Sequence, residues 1–162
     1  MSSDDQHQQS LPVLLGRART AVAGRFRKVL RQHGMTVEQW RILLALTTGD
    51  FIEANKLAQR TDLLQPSLSR ILRDLQERGL LLRVPDRADA RRILVIITPA
   101  GRQLVNDTKG DTREVLAEIN TRFGKREVEA LRKELARLVE VLGSTVEEGP
   151  NIEELNSDEE ST

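Results

Sequence analysis

The stretch EANKLAQRTDLLQPSLSRILRDLQERGLLLRVPDRADARRILVII, residues 53–97, decides how this chain is read. Its start predicts a short helix over about 53–59, with Leu57 and Ala58 facing inward, then a turn over 61–64. Pro66 opens a second helix at a first-turn position, where its missing N–H costs nothing. There Leu68, Ile71, Leu72 and Leu75 recur at helical spacing, while Ser67, Ser69, Arg70, Arg73 and Asp74 take the opposite face. Gly79 stops the helix, as glycine does just past a C-terminus. Leu80–Val84 and Ile93–Ile97 are β-rich runs on either side of a polar loop, 85–92, and predict a two-stranded hairpin.

A helix with outward serines and arginines, beside an arginine-tipped finger, makes two probes suited to adjacent grooves of duplex DNA. An α-helix fits the major groove, where arginine bonds guanine edges in a bidentate way, glutamine bonds adenine, and serine reaches base or phosphate. The minor groove is narrow and strongly negative, which favours an inserted guanidinium from Arg87, Arg91 or Arg92. Asp89 sits two residues before Arg91, where its carboxylate can pair with that arginine and set its direction. Taken alone, the helix also fits an ordinary amphipathic helix with a solvated face. The loop alone fits a polar tip whose surface ion pairs contribute little. Their adjacency favours DNA. The candidate contacts are Gln65, Pro66, Ser67, Ser69, Arg70, Arg73, Arg87, Asp89, Arg91 and Arg92.

Outward from this core, residues 1–9 are polar and predicted to be disordered. A long helix runs from Ser10, a candidate N-cap, to about Gln32, with Pro12 in its first turn. Leu15, Ala18, Val22, Phe26 and Val29 form its apolar stripe, and His33-Gly34 ends it. Thr36 and Gln39 make a capping box for a second helix that carries Trp40, Leu43, Leu44 and Leu46 and stops before Gly49. Phe51 and Ile52 are read as a bridge. Thr98-Pro99 starts one long polar helix over 99–122, and Gly124 separates it from a last helix at about 125–142. In that last helix Val128, Leu131, Leu135, Leu138 and Leu142 repeat at intervals of three and four, a narrow coiled-coil seam. Such a seam buries little by itself and more against a partner.

The formal net charge of zero hides an uneven distribution. Of 25 acids, two lie in the first ten residues and seven from Ser144 onward; the 16 that remain face all 25 bases between 11 and 143. A basic body is what a polyanion-binding domain needs. With no cysteine, disulfides, thiolate metal sites and thiol redox sensing are excluded. Neither histidine, His7 in the tail nor His33 at a helix end, belongs to a serine–acid arrangement suited to catalysis, and Gly49, Gly79 and Gly101 stand singly rather than in a phosphate loop. Neither an enzyme nor a cofactor is therefore expected. No 20-residue apolar run is present and the N-terminus is acidic, so a cytoplasmic protein with no membrane contact is the expectation.

The order of elements, the wing pair Asp89 and Arg91, and the follow-on Ile-Ile-Thr-Pro-Ala-Gly at 96–101 resemble the MarR family of winged helix-turn-helix transcription regulators over roughly 11–143. More narrowly, Arg-Ala-Arg at 17–19, Phe26-Arg27, Glu38-Gln39-Trp40-Arg41-Ile42 and Pro66-Ser67-Leu68 are similar to the subgroup that controls homoprotocatechuate and hydroxyphenylacetate breakdown. The resemblance implies a mainly α fold with a small β wing. Residues 36–98 would form the DNA-binding lobe, 10–35 and 99–143 long dimerisation helices, and 144–162 a disordered acidic tail. It further implies a homodimeric repressor on a palindromic operator, released by a small aromatic carboxylate. Arg19 and Trp40 match positions that hold the carboxylate and ring, with Val22 and Phe26 as apolar lining; Leu44 departs from an arginine found in such relatives, and the chain has no tyrosine. The competing reading is a winged-helix protein-interaction module without ligand control.

Overall fold

The computed structural model describes residues 10–143, so both predicted tails, 1–9 and 144–162, lie outside the described residues. The chain divides into two compact units between Leu116 and Ala117. In the first, α1 (Leu11–Leu30) follows Ser10, which occupies the N-cap position although its side chain makes no capping bond. The helix tightens into a single 3-10 turn, Arg31–His33. There His33 Nε2 lies 2.6 Å from Asp111 Oδ2. Helix α2 (Val37–Leu46) starts with the predicted capping box: Thr36 Oγ1 accepts the Gln39 N–H, and Gln39 Oε1 accepts the Thr36 N–H.

Strand β1 (Ile52–Glu53) comes next, then α3 (Ala54–Thr61), α4 (Gln65–Glu77), β2 (Leu81–Pro85) and β3 (Ile93–Ile97). The bridge expected at Phe51-Ile52 is thus corrected: Ile52 and Glu53 pair antiparallel with Val95 and Leu94, and the hairpin becomes a three-stranded sheet in the order β1-β3-β2. Two residues are too few for period-2 alternation to show, and only the ladder with β3 makes them a strand. The short helix correspondingly begins at Ala54 and runs on to Thr61. Leu81 faces Ile97 across the ladder, and both are buried together with Ile52 and Val95. That sheet face closes a core with Leu43, Leu46, Leu57, Leu68, Leu72 and Leu75.

The single helix expected over 99–122 is also corrected, into α5 (Pro99–Asp107) and α6 (Lys109–Phe123). The break falls at Thr108, which is fully buried. Its hydroxyl donates to the Val105 carbonyl at 2.8 Å, the local side-chain-to-backbone bond by which threonine competes with helix continuation. At the start of α5, Thr98 Oγ1 accepts the Gly101 N–H and donates to the Gly79 carbonyl. A Cβ on Gly101 would stand 2.1 Å from the Leu80 carbonyl oxygen, so only glycine lets α5 approach the start of β2 this closely. In the second unit, α7 (Lys125–Gly143) follows Gly124 and buries none of its residues in the single chain. Leu131, Leu135 and Leu142 of the predicted seam are 46%, 37% and 57% exposed.

Candidate nucleic-acid interface

Helices α3 and α4 are joined by the three-residue turn Asp62–Leu64, with Asp62 in the left-handed region at φ 50°. Aspartate is one of the few side chains that tolerates this backbone conformation. The Arg41 guanidinium donates to the Thr61 carbonyl at the end of α3. Gln65 Nε2 donates to Asn55 Oδ1 at 3.0 Å, which ties the first turn of α4 to α3. On the far side, Arg83 Nε reaches Gln76 Oε1 at 2.6 Å and Gln39 Nε2 reaches Asp74 Oδ2 at 2.7 Å. The helix is thus held from both ends, and the face between is left open.

On that face Gln65, Pro66, Ser69, Arg70 and Arg73 are exposed, while Ser67 is half-buried. Leu68, Leu72 and Leu75 point into the core, as their spacing predicts, and Ile71 lies half-buried at its edge. Asp74 shares the outward side but is engaged by Gln39 and, at 3.7 Å, by Arg78. Among the described residues no hydrogen bond or ion pair holds Arg70 or Arg73.

The finger between β2 and β3 is organised by its own acids. The Asp86 N–H donates to the Arg92 carbonyl and the Arg92 N–H to the Asp89 carbonyl, at 2.8 and 2.9 Å. Asp86 Oδ1 accepts the Ala88 N–H and Asp89 Oδ1 the Arg91 N–H, two Asx-type closures that fold the tip back on itself. The Arg91 side chain, 95% exposed, has its Nε 3.6 Å from Asp89 Oδ1, the pairing expected from their spacing. Arg87 is exposed, and no partner among the described residues holds it.

Arg92 differs from both. Its guanidinium lies 2.8 Å from Glu53 Oε2 and 3.6 Å from Asp86 Oδ2, and the bond to Glu53 pushes its pKa further above the usual guanidinium value. Sequence reasoning missed Glu53, Asn55, Gln76 and Arg83, because the partners they find are 39, 10, seven and seven positions away.

Of the four candidate ligand residues, two are brought together. Phe26 and Trp40 stack with ring centroids 5.4 Å apart and planes at 23°. The indole N–H of Trp40 donates to Thr108 Oγ1 at 3.2 Å. Arg19 and Val22 lie on an exposed stretch of α1, with the Arg19 guanidinium 4.0 Å from Asp62 in the helix-turn-helix turn.

A helix-turn-helix beside an arginine-bearing β finger defines a winged-helix DNA-binding protein, and known proteins of similar sequence and fold agree. Residues 33–92 match the MarR family model. The homoprotocatechuate degradative operon repressor of Escherichia coli is 30% identical over 141 residues, which is 87% of this chain and 95% of that protein. Among solved structures, the transcriptional regulator PA4135 is 32% identical with a TM-score of 0.78, covering 82% of this chain and 97% of its own. NadR in complex with 4-hydroxyphenylacetate is 31% identical with a TM-score of 0.70, covering 80% and 92%. The chain belongs to the MarR family and is a DNA-binding transcriptional regulator. No helix among the described residues is long and apolar enough to cross a membrane.

Proposed function

We propose that the chain acts as a homodimeric repressor on a palindromic operator. The observation that carries this is the exposed seam of α7, where Leu131 and Leu135 are 46% and 37% exposed. The exposed Leu11, Leu14, Leu15 and Val22 of α1 extend the same argument to the other terminal helix. A soluble protein rarely leaves such stripes bare, and pairing two copies removes them from water. Two recognition helices set about 34 Å apart by that pairing read two half-sites of a palindrome. On this reading 10–35 and 99–143 form the dimerisation region and 36–98 the DNA-binding lobe. Gln65, Pro66, Ser67, Ser69, Arg70 and Arg73 enter the major groove, and Arg87 and Arg91, oriented by Asp89, enter the minor groove.

We further propose release by a small aromatic carboxylate. Arg19 supplies a planar fork that matches a carboxylate, and the Phe26–Trp40 stack, with Val22, supplies an apolar wall. The 4-hydroxyphenylacetate bound by NadR has this chemistry. Binding would favour a dimer spacing that no longer matches adjacent grooves, a shift of population between two states. The test is fluorescence anisotropy of a labelled duplex selected from a random pool, titrated with 4-hydroxyphenylacetate. Release by the wild type, lost in Arg19→Ala while DNA affinity is kept, is the expected result. No release by hydroxylated phenylacetates, benzoates or cinnamates would overturn the effector reading. Sedimentation showing only monomer at micromolar concentration would overturn the dimer.

A further inference from the structure

We infer that Arg92 is a positioning residue, whose grip on Glu53 sets the finger against the helix-turn-helix, and that it is not itself a DNA contact. The inference rests on the helix-and-finger interface proposed above. Glu53 ends β1 and is the N-cap residue of α3, so its carboxylate stands where the sheet joins the helix pair. Arg92 closes the finger at the foot of β3. Between them the 2.8 Å contact links segments 39 residues apart, and Asp86, at 3.6 Å from the other guanidinium nitrogen, adds a second anchor at the opposite foot of the finger.

Burial separates this arrangement from an ordinary surface ion pair. The Glu53 and Asp86 side chains are 17% and 19% exposed and that of Arg92 is 45% exposed, whereas the Arg91 side chain is 95% exposed. A guanidinium facing two half-buried carboxylates leaves little positive potential for a phosphate. If it turned away, it would strand the Glu53 charge in a site already partly desolvated. β2 and β3 stay paired as far as Pro85 and Ile93, but β1, the strand that leads into α3, has only two residues, and its pairing with β3 stops at Leu94. The side-chain clasp therefore ties the finger to the start of α3 beyond the last pairing of β1 with β3. A finger and a recognition helix can occupy neighbouring grooves together only if their separation is fixed, since an error of about 1 Å in placement degrades polar contacts steeply.

The sign of one substitution distinguishes the two roles. Removing an acid from a DNA-binding surface raises affinity if charge alone matters. The clasp demands the reverse for Glu53→Gln. Anisotropy with the selected duplex and with a scrambled one would be measured for Glu53→Gln, Arg92→Gln and the double variant. The expected result is a loss of about threefold on the selected duplex for each single variant, with the double no worse than either, the signature of two groups acting as one. Binding of Glu53→Gln to the scrambled duplex stays equal to wild type or rises. Glu53→Asp, which keeps the charge and a good capping side chain but shortens the reach, reproduces the loss with helicity intact, so a folding defect is not mistaken for the effect.

The inference is overturned if Glu53→Gln binds the selected duplex as tightly as wild type or more so, or if the two single losses multiply in the double variant. Unchanged affinity in both Arg70→Ala and Arg91→Ala would instead remove the interface on which the clasp is built, a separate failure read from separate proteins.

Discussion

Helix α4 and helix α7 carry much the same kind of apolar stripe, leucines at intervals of three and four, yet they meet opposite fates. In α4, Leu68, Leu72 and Leu75 are each 3% exposed or less. In α7, Leu131, Leu135 and Leu142 are all more than a third exposed. The first stripe finds its partner within its own lobe, against Leu43, Leu57 and the sheet. The second stays exposed in the single chain, and on it rests the proposed pairing of two copies. Identical periodicity therefore does not distinguish a core from an interface; what distinguishes them is whether the lobe offers a matching face.

The sharpest way to break this comparison is to place charge on the second stripe. Leu131→Glu with Leu135→Glu is expected to convert the dimer to monomer in sedimentation velocity. Operator affinity should fall about a hundredfold or more, because two linked lobes lose their effective concentration. A variant that stays dimeric and binds normally would assign the seam to some other role.

Next in size is the matched pair of truncations. Leu72→Ala removes a core side chain and is expected to cost about 2–5 kcal/mol, lowering the melting temperature by an amount, relative to wild type, that does not change with protein concentration. Leu135→Ala should instead show a shift from wild type that changes with protein concentration, since its stabilisation depends on association. If both shifts are insensitive to concentration, the contrast between the two stripes fails. A smaller loss, about 1–3 kcal/mol, is expected for Gly101→Ala, where the added methyl meets the Leu80 carbonyl oxygen and α5 must back away; differential scanning calorimetry would read it.

How much of this was legible follows the same division. The capping box at Thr36 and Gln39, the stop at Gly79 and the inward leucines of α4 depend on neighbours within a turn or so, and local spacing carries them. The Thr98–Gly101 motif was visible as a resemblance, and its physical content is a cap plus a close approach to β2. The two-residue β1 and the break at Thr108 were not legible. A strand of Ile52 and Glu53 exists only through its pairing with β3, and Thr108 is singled out by burial beside Trp40 rather than by its place in a polar run. Within the candidate interface, residue type nominated the arginines only as a group. Only geometry shows that Arg70, Arg73 and Arg87 are held by no partner among the described residues, while Arg92 is anchored to Glu53 and Asp86.

The smallest expected effects lie at the exposed arginines themselves and refine the comparison within the lobe. Arg70→Ala should cost about 1–3 kcal/mol on the selected duplex and relax preference at one base position, as removal of a major-groove hydrogen-bond donor does. Arg91→Ala is expected to cost less, about 1 kcal/mol, spread evenly over sequences. Removing a cation that neutralises one phosphate flattens the logarithmic salt dependence by about 0.9. The two arginines thus differ in kind as well as in size: one changes which sequence is bound, the other how steeply binding falls with salt. Anisotropy titrations at several salt concentrations, on the selected and scrambled duplexes, separate the two slopes. Equal effects of Arg70→Ala on both duplexes would move α4 from reading bases to gripping the backbone, and would leave sequence preference to the finger and to the shape of the DNA.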